Sequence, residues 1–138
     1  MLESHIMSQS IKISGSILAA DLANLAQDVK KAIKSGIDLL HIDIMDGHFV
    51  NNISFGPNLV KNLVESIDPL PLDLHLMTDL NFELMQRCLE FSPRNITIHI
   101  ESSPYVRNAL DWIRNNNCLA GLAINPETPI SFVKPYLD

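Results

Sequence analysis

Two short runs carry polar groups among residues that otherwise belong inside a protein. In "HIDIM" the two-residue period of a strand puts His41, Asp43 and Met45 on one face and Ile42 and Ile44 on the other. In "DLHLM" the same period aligns Asp73, His75 and Met77 against Leu74 and Leu76. Two imidazoles and a carboxylate make an N/O donor set for a divalent transition metal such as Zn²⁺ or Fe²⁺, and His41, Asp43 and His75 are the trio that supplies it. The competing reading is that each histidine is a core residue hydrogen-bonded to its neighbours, as an isolated one usually is. Alignment on adjacent strands weakens that reading without removing it. A buried carboxylate with no partner is costly, so Asp43 must be paired, protonated or on an ion.

Around this trio lie further polar and apolar residues. Asp73, one layer deeper, reads as a group orienting His75. His99 shares a face with Thr97 and Glu101 in "NITIHIE" and is either a further ligand or a supporting residue, while Ser14, Ser16 and Leu18 align in the first run. In "MDGHFVNNISFGP", Asp46 and Gly47 read as turn chemistry and Asn51, Asn52 and Gly56 as an irregular loop. His48 and Phe49 are placed to line the mouth of a site. Met45 and Met77 are either core or the wall of a substrate channel. Asn125 in "AINPETP" reads as a turn residue.

The elements that must position these groups alternate. Runs of β type ("KISGSILA", "LLHIDIM", "LDLHLM", "NITIHI", "LAGLAIN") are separated by stretches of helical period. Leu22, Leu25, Val29 and Ile33 mark a first helix between Asp21 as N-cap and Gly36 as stop. Pro57 opens a second, with Leu59, Val60, Leu63 and Val64 as its apolar stripe. A third runs from about Phe82 to Phe91; Ser103 and Pro104 start a fourth that reaches Trp112, and Thr128 and Pro129 a fifth. Strand, helix and parallel strand make a βαβ unit. Repeating that unit predicts an α/β fold, and the polar faces meet only if the strands curve into a barrel with its site at their C-terminal ends. A closed (β/α)₈ TIM barrel takes about 250 residues. The 138 residues here have room for roughly five βα units and the opening of a helix.

Composition bounds the partners. A formal net charge of −6 argues against nucleic acid or an anionic membrane surface as a main partner, so any phosphate bound is small and local. No apolar run reaches the length of a membrane span. Two cysteines without metal-type pairing and no signal-like N-terminus predict a cytoplasmic protein with free thiols. The opening "MLESHIM" reads as an expression-tag remnant over residues 1–7, leaving residues 8–138 as the N-terminal part of one barrel domain.

"SGSILAADLANL", "HIDIMDGHFVNNISFGP", "LDLHLM", "ITIHIE" and "AGLAINPETP", in that order, resemble the ribulose-phosphate 3-epimerase family. The resemblance runs from about Ile11 to the last residue and is most specific in "HIDIMDGHFV" and "DLHLM". It implies a metal-dependent barrel that interconverts D-ribulose 5-phosphate and D-xylulose 5-phosphate in the pentose phosphate pathway. It also implies that His41, Asp43 and His75 hold one divalent ion (Fe²⁺, Zn²⁺, Co²⁺ or Mn²⁺), that Asp43 doubles as general base, and that Ser16 contacts substrate. His75, Met45 and Met77 would stand beside the substrate too. A metal stabilises the enediolate formed when Asp43 removes the proton, and a second acid must then reprotonate the opposite face. In the family that acid is an aspartate on a later strand, outside the present sequence, as are the glycine-rich phosphate loops. Gly15 and Asn51 stand where the family usually has proline. The chain alone is therefore expected to be inactive or impaired as an isomerase.

Two alternatives accompany this reading. One is a related ketose-phosphate 3-epimerase. The other is a non-catalytic half-barrel that self-associates through unpaired strand edges and an exposed apolar helix-facing surface, so a homo-oligomer is expected. A phosphosugar decarboxylase would need lysine two residues after Asp43, where Met45 stands.

Overall fold

The computed structural model describes residues 11–137. The expected boundary between a tag remnant at residues 1–7 and a domain from residue 8 lies outside the described residues. Strands β1 (Ser14–Ser16), β2 (Leu39–Met45), β3 (Leu72–Met77), β4 (Asn95–His99) and β5 (Leu119–Ala123) alternate with helices α1 (Leu25–Lys34), α2 (Pro57–Ser66), α3 (Phe82–Leu89) and α4 (Val106–Asn115). All neighbouring strands are parallel and the sheet order follows the chain, β1-β2-β3-β4-β5. A doubly wound sheet reverses its order at a switch point. Unreversed order with right-handed crossovers gathers the helices on one face and leaves the other to the polar side chains. This is the α/β architecture of the (β/α)₈ barrel family, five strands of it.

Strand alternation builds the core. Leu40, Ile42, Ile44, Leu72, Leu74, Leu76, Ile96 and Ile98 are buried on the helix side, packed with Val60 and Leu63 of α2, Met85 and Cys88 of α3, and Ala109, Leu110 and Ile113 of α4. Each such aliphatic side chain contributes about 1.5–3 kcal/mol of burial. The exposed helix-facing surface expected of a half-barrel is thus absent over β2 to β4. Cover thins at β5, where Ala120 and Leu122 are half-buried.

Helix boundaries follow local chemistry. The Asp21 carboxylate accepts from the Ala23 N–H, but that cap opens a short 3₁₀ turn, Leu22–Asn24, before α1 begins. Gly36, at a φ of 95°, ends that helix in the left-handed conformation that glycine adopts without penalty. Pro57 opens α2 and Asn81 caps α3 through the Leu84 N–H, whereas α4 starts two residues after the expected Pro104. Ser103 accepts from the Tyr105 N–H, which closes a turn first. The fifth helix is replaced by 3₁₀ turns, Ile130–Phe132 and Lys134–Tyr136. Pro129 is extended, and Pro135 has no N–H to continue an α-helix. No helix among the described residues is long and apolar enough to cross a membrane.

Candidate metal and catalytic site

Register decides which polar groups meet. Across β2 and β3, His41 pairs with Asp73, Asp43 with His75 and Met45 with Met77, while Ser16 of β1 lies beside His41. The deepest layer is built on Asp73. Its Oδ2 accepts from His41 Nδ1 at 2.7 Å and from the Ser14 hydroxyl at 2.7 Å, and its Oδ1 accepts from the Asn95 amide. Asp73 therefore orients His41 rather than the expected His75, because the parallel register sets it opposite His41.

The next layer converges on Asp43, only 8% exposed. Asp43 Oδ1 lies 2.9 Å from His75 Nδ1 and 3.1 Å from His41 Nε2, and Oδ2 accepts from the Ser16 hydroxyl at 3.1 Å. Beyond it, His75 Nε2 stands 2.8 Å from His99 Nε2, with the two rings edge to edge, 5.0 Å between centroids and 21° between planes. His99 Nδ1 is 3.3 Å from Glu101 Oε2. Glu101 Oε1 in turn accepts from the Asn125 N–H at 2.8 Å and from the Thr128 hydroxyl. His99 thus supports the trio from behind, and the cluster within reach of one ion is His41, Asp43 and His75, whose donor atoms all lie within 4.8 Å of one another.

Electrostatics follow from these contacts. Burial works against charge on His41, but the bond to Asp73 and the Asp43 and Asp73 carboxylates outweigh it and raise its pKa. Burial likewise favours a neutral Asp73, yet bonds from His41, Ser14 and Asn95 hold its carboxyl below the usual range. For His99, burial and the neighbouring His75 push the pKa down against the pull of Glu101.

The donor set fits a divalent ion. An Nδ1–H given to Asp73 leaves His41 Nε2 as a lone pair, and that lone pair faces Asp43 Oδ1, itself an acceptor. His75 Nδ1 faces the same oxygen. Acceptors this close require a positive centre among them, either protons or a metal.

Above this layer Met45 and Met77 lie across from each other, both half-buried. Phe49 reaches the site, with its ring 4.9 Å from that of His99, whereas His48 folds back so that its Nδ1 lies 3.2 Å from its own loop's Asp46 carbonyl. Leu18 does not share the Ser14 and Ser16 face, because the strand gives way to a 3₁₀ turn at Ile17. Asp46 does more than make a turn. It accepts from the His48 and Phe49 N–H groups and, across the gap between loops, from that of Asp79.

Three residues that support the site have no such role legible in the sequence. Ser54 donates to the Asp43 carbonyl and accepts from the Met45 N–H, which pins the strand end that carries the carboxylate. Asn95 and Thr128 complete the shells of Asp73 and Glu101. Extending the two-residue period of "NITIHI" back from Thr97 identifies Asn95; nothing local marks Ser54, and Thr128 is legible only as a helix start.

Comparison with known proteins shows the family. Residues 12–138 match the model of the ribulose-phosphate 3 epimerase family. The ribulose-phosphate 3-epimerase of Buchnera aphidicola (subsp. Acyrthosiphon pisum) is 39% identical over 126 residues, which cover 91% of this chain and 55% of that protein. Those of Escherichia coli K12 and Bacillus subtilis 168 are 38% and 36% identical, covering 91% and 93% of this chain and 56% and 58% of theirs. The chain spans little more than half the length of these curated relatives. With a match that runs from residue 12 to the last residue, the chain belongs to the ribulose-phosphate 3-epimerase family.

Proposed function

We propose that this chain carries the metal-binding, first-base half of an epimerase site that acts on D-ribulose 5-phosphate and D-xylulose 5-phosphate. The observation that carries the reading is the convergence of His41 Nε2, His75 Nδ1 and Asp43 Oδ1 on one point, their donor atoms all within 4.8 Å of one another. His41, Asp43 and His75 would hold Fe²⁺, Zn²⁺, Co²⁺ or Mn²⁺, since an N/O site accepts several and availability decides. When bound, the ion supplies positive charge beside the substrate oxygens that become negative.

The chain's own groups do the rest. Asp43 is the base: a carboxylate whose position is fixed by Ser54 at its backbone and Ser16 at its Oδ2 can take the proton next to a ketone from one face. Ser16, already donating to that oxygen, is placed to hydrogen-bond a substrate hydroxyl. Met45 and Met77 form an apolar wall that keeps water off the reacting carbon. Inversion needs a second proton carrier on the opposite face, and the described residues bring no further carboxylate there; Asp73 and Glu101 are engaged with His41 and His99. Residues 8–138 would form one part of a barrel domain, and copies of the chain would associate through the β1 and β5 edges.

Metal stoichiometry tests the assignment. Equilibrium dialysis against Zn²⁺ should give about one ion per unaltered chain, and His41→Ala, His75→Ala and Asp43→Asn should each reduce it sharply. Full stoichiometry in all three variants would remove the ligand reading.

A further inference from the structure

His75 presents two nitrogens, and only one of them can serve an ion. Its Nδ1 faces Asp43, and its Nε2 faces His99 Nε2 at 2.8 Å. Two nitrogens that close share one proton, and either ring could own it. The chain of contacts beyond His99 decides. A carboxylate only accepts, so Glu101 Oε2 requires the proton of His99 to sit on Nδ1. A neutral His99 then has a lone pair at Nε2, which makes His75 the donor across the 2.8 Å contact. A neutral His75 with its proton at Nε2 has its lone pair at Nδ1, on the side of Asp43 and His41.

We propose that Glu101, acting through His99, sets the tautomer of His75 so that Nδ1 is the nitrogen offered to the ion. Glu101 and His99 are positioning residues in this account, and the device mirrors Asp73 on the other side of the site, which holds the proton of His41 at Nδ1 and frees Nε2. The direction of the relay originates in the loop after β5. Glu101 Oε1 is taken by the Asn125 N–H and the Thr128 hydroxyl, which leaves Oε2 alone to face His99. The His75 and His99 rings lie within 21° of coplanar, edge to edge, and Phe49, tilted against the His99 ring, helps hold that imidazole in line for both contacts. Carboxylate–histidine–metal arrangements use one carboxylate per ligand histidine. Here a second histidine is inserted, which carries the influence of a β5 loop to a β3 ligand.

The proposal deepens the metal reading above and rests on it only for its consequence, since the tautomer itself is read without metal. In Glu101→Gln the side chain keeps its shape, but its carbonyl must take the Asn125 and Thr128 donors, so its NH₂ faces His99 Nδ1. That reverses every bond in the relay and puts the proton of His75 on Nδ1. Long-range ¹H–¹⁵N correlation spectra of the metal-free, histidine-labelled chain read the tautomer directly. The expected result is His75 protonated at Nε2 in the unaltered chain and at Nδ1 in Glu101→Gln, with Zn²⁺ affinity about 10–100-fold weaker in the variant. His99→Phe, which keeps an aromatic ring against Phe49 and removes the acceptor, should release His75 into a mixture of tautomers. Finding His75 protonated at Nδ1 in the unaltered chain, or unmoved in both variants, overturns the proposal. A failure of the metal reading would show differently, as Zn²⁺ affinity indifferent to His41→Ala while the tautomer shift persists.

Discussion

His41 and Asp73 stand opposite each other in register on adjacent parallel strands, with 2.7 Å between Nδ1 and Oδ2. The carboxylate fixes which nitrogen of the ring is protonated and so which one looks into the site. Replacing it by an amide, Asp73→Asn, should weaken Zn²⁺ binding about 10–100-fold. The same change should lower the pKa of His41, because the lost hydrogen bond and charge, together with Asp43, are what raise it against burial. A chelator competition titration and an NMR pH titration of the metal-free chain check the two effects; an affinity unchanged from the unaltered chain would contradict the role given to Asp73.

Close approach of β4 and β5 depends on Gly121. A Cβ built there would overlap the Thr97 hydroxyl, in register on the neighbouring strand. Gly121→Ala should therefore cost about 1–3 kcal/mol in denaturant unfolding, as overpacking does. Thr97→Ala in the same chain should recover part of the loss. No coupling between the two substitutions would show that the strands have room to spare.

Much of this was readable in advance, and what was not has a physical reason. The two-residue period placed His41 with Asp43 and Asp73 with His75 on one face, because alternation is a property of a single strand. Which of them would touch was not readable, because register between parallel strands is set by the packing of crossover helices. The pairing of Asp73 with His41 instead of His75 is the consequence. Pro57 and Gly36 marked helix ends correctly since their effects are local, whereas the Thr128–Pro129 signal failed against Pro135 six residues on. Ser54, Thr128 and the Asp46 to Asp79 contact join loops far apart in sequence, and no local pattern reports such a bond.

Cys88 lies on the buried face of α3. Burial pushes its thiol up to about 12. An unfolded cysteine ionises near 8.5, so the folded state binds the proton more tightly and its contribution to stability is complete below that pH. It is lost as pH rises from there toward about 12, at about 1.4 kcal/mol per pH unit. Urea unfolding from pH 8 to 11 should show a steeper alkaline loss in the unaltered chain than in Cys88→Ala. Iodoacetamide at pH 8 should leave Cys88 unlabelled until the chain unfolds, and rapid labelling of the native chain would refute its burial.

The central claim is that Asp43, beside an ion held by His41 and His75, removes the proton of a ketose phosphate from one face. Incubating the 138-residue chain with Zn²⁺ and D-ribulose 5-phosphate in deuterated water, and following label at carbon 3 together with formation of xylulose 5-phosphate, tests it most directly. The account predicts deuterium entering carbon 3 without inversion, dependent on the metal and abolished by Asp43→Asn. Exchange that survives Asp43→Asn, or no exchange above the metal-free control, would contradict it.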